Sequence, residues 1–161
     1  MEDNELNMDD VANTEVEAQT VLKAILERMG FDVQVESSVD EDRVMLSIHG
    51  DEAAELIGPK GQTLDALQFI INRTLSHKNS DRAPVVVDSG GYRQRRVEAL
   101  RELAERLGDK ATRTGSTVAV NPMSAHDRRV IHMALRETPG VTTRSEGEGP
   151  SRRLLIVPTS D

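Results

Sequence analysis

The pair Gly90-Gly91 constrains this chain more than any other feature. It interrupts an apolar pattern that is regular on both sides, and two adjacent glycines have no side chain with which to continue a helix or a strand. The 161 residues are divided into two stretches, each of which must bury a core of its own. Hydrophobic residues make up 37% of the chain and aromatics 2%, so both cores must be small and aliphatic. Phe31, Phe69 and Tyr92 are too few and too scattered to form an aromatic platform for stacking.

The absence of cysteine excludes disulfides, thiolate metal sites and cysteine nucleophiles, and fits a reducing compartment. No apolar run approaches the ~18 residues of a membrane span. The acidic N-terminus lacks the basic and apolar regions of a signal peptide. These features lead to the expectation of a cytoplasmic protein.

Charge is unevenly placed. Residues 1–57 hold 16 acids and 3 bases, a net of −13, whereas residues 58–161 hold 12 acids and 17 bases, a net of +5. The total of −8 argues against a polyanionic partner, but the local field decides, and the C-terminal two-thirds are basic. Uneven charge with no functional meaning is the competing reading.

Residues 1–13, with five acids and no base, read as a disordered acidic tail. From Thr14, Ala18, Val21, Leu22, Ile25 and Met29 recur at helical spacing, with Gly30 as a stop. Phe31, Val33 and Val35 then alternate with polar residues, as do Val44, Leu46 and Ile48, which predicts a hairpin with an acidic tip at Asp40, Glu41 and Asp42. A short helix over Glu52 to Ile57 leads into Gly58-Pro59-Lys60-Gly61. Leu64, Leu67, Ile71 and Leu75 mark a second helix, and Pro84 opens a strand over Val85 to Val87. These elements make one domain over 14–89.

The second domain, 90–158, starts with a long connecting helix over 92–111, in which Gly108 is expected to fray or bend the end. A strand over Thr117 to Val120, a helix from Ser124 to Arg136 and strands over 141–145 and 154–157 follow, with 159–161 as a tail. Ser124 and Asp127 form a capping-box-like start. The fold class is α+β.

Two constellations carry chemistry. Gly58 and Gly61 bracket a tight turn between apolar segments, Lys60 adds a charge, and the helix starting near Gln62 offers N–H groups to an anion. A simple helical turn is the competing reading. The phosphate-binding loop of nucleoside triphosphatases is excluded, because two residues rather than four separate the glycines and Gln62 follows. The second constellation is Arg128-x-x-x-His132. On a helix, Arg128, Arg129, His132 and Arg136 fall in one arc and repel one another unless an anion arrives. A solvated basic face, or a His132 bonded to a neighbouring strand for packing, are the alternatives. His126 and His132 are six apart and face different ways, which disfavours a metal, and His132 has no acid–base partner for hydrolysis. No enzyme activity and no cofactor are expected.

The helix–strand–strand order before Ile57-Gly58-Pro59-Lys60-Gly61-Gln62-Thr63-Leu64 resembles the KH domain in its bacterial, type II arrangement. That resemblance implies a backbone clamp on about four single-stranded nucleotides. Pro59 stands where a basic residue is common. The second half resembles the R-three-H (Arg-x-x-x-His) domain. Gly90-Gly91-Tyr92-Arg93, Arg95-Arg96, Leu103-Ala104, Thr114-Gly115, Pro122-Met123-Ser124 and Asp127 to His132 are together similar to the Jag (SpoIIIJ-associated) family, without its separate N-terminal domain.

The resemblance implies a cytoplasmic bacterial RNA-binding protein, a regulator with links to cell envelope, elongation or division. Its implied partners are single-stranded RNA, single-stranded DNA at the Arg-x-x-x-His face, and a small companion KH protein or a second copy. The expected contacts are Ile57, Gly58, Pro59, Lys60, Gly61 and Leu64 at the first site, Arg128, Arg129, His132 and Arg136 at the second, and Arg93, Arg95 and Arg96 between them. A protein scaffold, with a KH dimer interface and a basic face docking an acidic partner, is the alternative.

Overall fold

The computed structural model describes residues 8–40, 42–77 and 82–159, and the chain divides between Arg93 and Gln94 into two units with separate cores. Residues 1–7 of the expected tail, Glu41 of the hairpin tip and residues 160–161 lie outside the described residues.

Helix α1 (Met8–Arg28) buries Val11, Thr14, Ala18, Leu22 and Leu26 along one face. Residues 8–13, expected in the tail, instead form its first turns, because Val11 has core to cover and the Thr14 hydroxyl donates to Asp10 O at 2.7 Å. Gly30, at φ +88°, ends the helix: its N–H donates to Glu27 O and that of Phe31 donates to Leu26 O, each at 3.0 Å. Phe31 N–H is thus spent on the cap, and Asp32 N–H donates to the Glu52 carboxylate at 2.9 Å. Strand β1 (Gln34–Asp40) therefore starts later than the alternation from Phe31 predicts.

Strand β1 pairs antiparallel with β2 (Arg43–His49), and β2 pairs parallel with β3 (Val85–Ser89), in the order β1-β2-β3. A parallel pair needs a crossover, which α2 (Gln62–Ser76) supplies. Val44, Leu46 and Ile48 of the central strand are completely buried beneath Leu64, Leu67, Ile71 and Leu75 of α2 and the apolar face of α1. The helix expected over Glu52 to Ile57 is a run of i→i+3 turns, with Ala53, Leu56 and Ile57 N–H bonded to Gly50, Ala53 and Ala54 O. The segment is too short, between two glycines of positive φ, to close an α-helical ladder.

The outer edge of β3 is closed by side chains of α2. The Asn72 carboxamide donates to Val85 O at 2.7 Å and accepts from Val85 N–H at 2.9 Å, and Gln68 Oε1 accepts from Val87 N–H at 3.1 Å. A helix thereby does for the edge what another strand would have done.

In the second unit, helix α3 (Tyr92–Thr114) continues from the first and buries Leu100, Ala104, Gly108 and Ala111. Strand β6 (Arg153–Pro158) is central, between β4 (Val118–Ala119) and β5 (Val141–Glu146), and its Leu154, Leu155 and Ile156 are buried. Helix α4 (Ala125–Leu135) lies against β5, and the Ser124 hydroxyl accepts from Asp127 N–H at 3.1 Å, as the capping pattern predicts. Thr159, expected in the terminal tail, donates its N–H to Gly140 O at 2.9 Å. Gly108 does not end α3, which runs on to Thr114. A Cβ there would stand 2.9 Å from Leu135 Cδ2, so the glycine is a packing position.

Gly108→Val should overfill this contact. We expect a loss of about 1–3 kcal/mol of stability in urea denaturation, despite the better helix propensity of valine.

Candidate nucleic-acid interface

The Gly58–Gly61 loop has a backbone that few residues adopt. Gly58 sits at φ +69°, ψ 178°, and Gly61 at φ +83°, ψ 11°. A Cβ on Gly58 would overlap the Thr63 hydroxyl, and one on Gly61 would lie 2.7 Å from the Tyr92 ring. Lys60 also lies in the left-handed region, at φ 55°, ψ 26°, at a cost of about 1–2 kcal/mol. Pro59 and Lys60 are exposed, and Ile57 is half-buried against the core. Leu64, expected in a base groove, is completely buried and supports the loop from the core side without offering a surface.

The N–H groups expected at this helix start are already used. Gly61, Gln62 and Thr63 N–H donate to Gly58, Pro59 and Ile57 O respectively. What the loop offers a phosphate is therefore close backbone approach past its glycines and the charge of Lys60.

The first turn of α3 holds this loop in place. Tyr92 lies against Gly61. Arg93 Nε donates to Val87 O at 2.8 Å, its Nη2 donates to Gln68 Oε1 at 2.9 Å, and its Nη1 pairs with Asp65 Oδ1 at 3.0 Å. Arg93, expected to bridge two sites, is thus spent on fastening β3 to α2. Arg96 is spent similarly: Nη2 lies 2.7 Å from Asp127 Oδ2, and Asp127 is only 4% exposed. This pair ties α3 to the start of α4. Arg95 is exposed.

The second constellation forms around α4 and β5. Arg128, Arg129, His132 and Arg144 line a pocket of about 330 Å³ with Thr143 and Ser145. Arg128 Nη1 donates to Ser145 Oγ at 2.9 Å, its Nε reaches Met123 O at 3.4 Å, and His132 Nδ1 shares a 2.5 Å hydrogen bond with Thr143 Oγ1. That last bond fixes the ring through one nitrogen. Arg129 and Arg144 have neither hydrogen bond nor ion pair among the described residues. No carboxylate is among the described lining residues, so the cations concentrate one sign of charge in one concavity. Guanidinium, imidazole and hydroxyl donors together suit a phosphate.

Arg136, expected in the same arc, lies outside the pocket and pairs with Glu137 at 3.3 Å. Arg144 takes its place. Sequence spacing missed Thr143, Arg144 and Ser145 because they arrive from a strand rather than from α4. The basic and hydroxyl-rich run Thr142-Thr143-Arg144-Ser145 was the available signal.

Comparison with known proteins gives two family matches. Residues 16–87 match the model described as KhpA/KhpB, KH domain, and residues 98–158 match the R-three-H domain. The RNA-binding protein KhpB of Clostridium symbiosum is 39% identical over 128 residues, covering 80% of this chain and 58% of that protein. The protein of the same name from Bacillus subtilis is 34% identical over 151 residues, covering 92% of this chain and 71% of its relative. The one from Lactiplantibacillus plantarum is 30% identical over 135 residues, covering 84% and 42%. The chain thus spans little more than half the length of the first of these relatives.

Two outcomes follow from the geometry. Arg96→Ala should lower stability by about 2 kcal/mol, less than the loss for a fully buried pair, because Arg96 is partly exposed. Thermal unfolding measures it. Gly61→Ala should push Tyr92 off the loop. Since Tyr92 is the sole tyrosine and there is no tryptophan, intrinsic fluorescence reads that displacement directly.

Proposed function

The chain belongs to the KhpB (Jag) family, and from that premise we propose that it binds single-stranded RNA at two sites, without catalysis. The observation that carries this reading is the pocket in which Arg128, Arg129, His132 and Arg144 converge with two hydroxyls. Such a cluster is costly without an anion and is chemically matched to a phosphate. The Gly58–Gly61 loop supplies the second site, where a strand's backbone passes close to the glycines and Lys60 neutralises a phosphate. The names of the relatives, RNA-binding protein KhpB, support RNA as the ligand. Two modest sites on one chain raise each other's effective concentration, so joint binding exceeds either alone.

The wider reading is a cytoplasmic regulator acting on transcripts, linked to envelope growth, elongation or division. Single-stranded DNA is a further ligand at the Arg-x-x-x-His pocket. Among the described residues, no helix is long and apolar enough to cross a membrane. A second reading, a KH-mediated protein scaffold, is favoured by Phe69 and Ile70, which stand 68% and 47% exposed on α2. They suit an apolar contact with a companion KH protein or a second copy.

The test is binding of a random single-stranded RNA pool at two salt concentrations. Arg128→Ala with His132→Ala should lower affinity about ten-fold and reduce the salt slope by about 0.7 for each phosphate no longer neutralised. Pro59→Asp with Lys60→Asp should act similarly, since aspartate tolerates the left-handed backbone at position 60. All four changes together should nearly abolish binding. A wild-type protein that binds no RNA at low salt would refute the reading. The scaffold reading would then be tested by sedimentation of Phe69→Ser against the wild type.

A further inference from the structure

We propose that a groove between α3 and α4, separate from the Arg128–His132 pocket, receives one nucleobase of the bound strand. The inference rests on the RNA-binding reading above and assigns that strand a place for a base rather than for a phosphate.

The groove has a volume of about 290 Å³ and is lined by Val97 and Arg101 of α3 and by His126, Arg129, Val130 and Met133 of α4. That is just under the roughly 300–1,000 Å³ of sites for drug-sized molecules, so it suits one ring system and not a partner helix. Its surface is part apolar, from Val97, Val130 and Met133. Met133 is 45% exposed, and among the described residues it is the one large apolar side chain of the second unit left so open.

The rest of the lining is cationic or able to become so. Arg101, His126 and Arg129 have no hydrogen bond or ion pair among the described residues, and no carboxylate lines the groove. An apolar patch with unneutralised guanidinium groups is complementary to a flat aromatic ring carried on a polyanion. Bases stack on guanidinium planes as well as on aromatic side chains, and the former is what an aromatic-poor chain has to offer. A methionine thioether adds a polarizable contact with the ring.

The position of Arg129 links this groove to the phosphate site. It lines both cavities. On α4, Arg128 and His132 are four apart and form one face, whereas His126, Arg129, Val130 and Met133 follow the spacing of a neighbouring face. A strand held by a phosphate at Arg128 and His132 can turn its adjacent base across Arg129 into the groove.

The test compares the full chain binding a short uridine oligonucleotide and an abasic ribose–phosphate strand of equal length. Met133→Ser should weaken binding of the uridine strand roughly five-fold or more, the loss of one base stack, and leave the abasic strand nearly unchanged. Arg101→Gln, also at an exposed position, should show the same preference for the base-bearing strand. Arg128→Ala with His132→Ala should weaken both strands alike, since it removes phosphate contacts. If both groove substitutions weaken the two strands equally, or neither, the base subsite is refuted while the phosphate result stands by itself. A glutamate-rich peptide that competes with the uridine strand for the wild type but not for Met133→Ser would assign the groove to an acidic protein and overturn the proposal. If the wild type binds neither strand, this inference falls with the reading it rests on.

Discussion

The first unit depends on what the opening turn of α3 does to the loop beside it. Gly58, Lys60 and Gly61 all have positive φ, and such a backbone persists only where its surroundings over-determine it. Tyr92 occupies the space that a side chain at position 61 would need. Arg93 joins Val87 of β3 to Gln68 and Asp65 of α2, so the helix that leaves the loop cannot drift from the sheet. Gln68 serves twice, accepting also from Val87 N–H. The loop's shape is therefore a property of β3, α2 and α3 together.

The two candidate sites work by different physics. At Gly58–Gly61 the asset is absence: two missing Cβ atoms and N–H groups already satisfied, leaving a smooth approach with one nearby charge. At Arg128–His132 the asset is crowding. Two bonds, Arg128 to Ser145 and His132 to Thr143, orient two cationic or titratable groups, while Arg129 and Arg144 stay unpaired among the described residues. The first arrangement tolerates little change in backbone.

Much of this was legible in advance where local chemistry decides. The alternation of Val44, Leu46 and Ile48, the stop at Gly30, the Ser124 cap and the spacing of Arg128 and His132 depend on near neighbours in sequence, and each takes the form that spacing predicts. Charged side chains were read less well. Arg93 and Arg96 look like free cations in a basic run, but their partners, Gln68, Asp65 and Asp127, are 25 to 31 residues away. Leu64 sits beside the glycine loop in sequence yet belongs wholly to the core. Helical phase alone cannot say whether a position next to a loop faces solvent or sheet.

Two aliphatic cores split near a double glycine, the order of helices and strands, and the placing of Arg128 and His132 on one face of a helix are all written in the chain itself. They follow from periodicity, backbone freedom and side-chain type, all of which act over a few residues. Which arginines are held in ion pairs and which line a pocket was settled only on folding. Folding paired Arg93 with Asp65 and Arg96 with Asp127, brought Arg144 rather than Arg136 to the pocket of Arg128 and His132, and opened a groove beside Met133. A guanidinium's role depends on which acceptor lies within about 3 Å of it. That distance is set only when strands and helices far apart in sequence come to lie side by side.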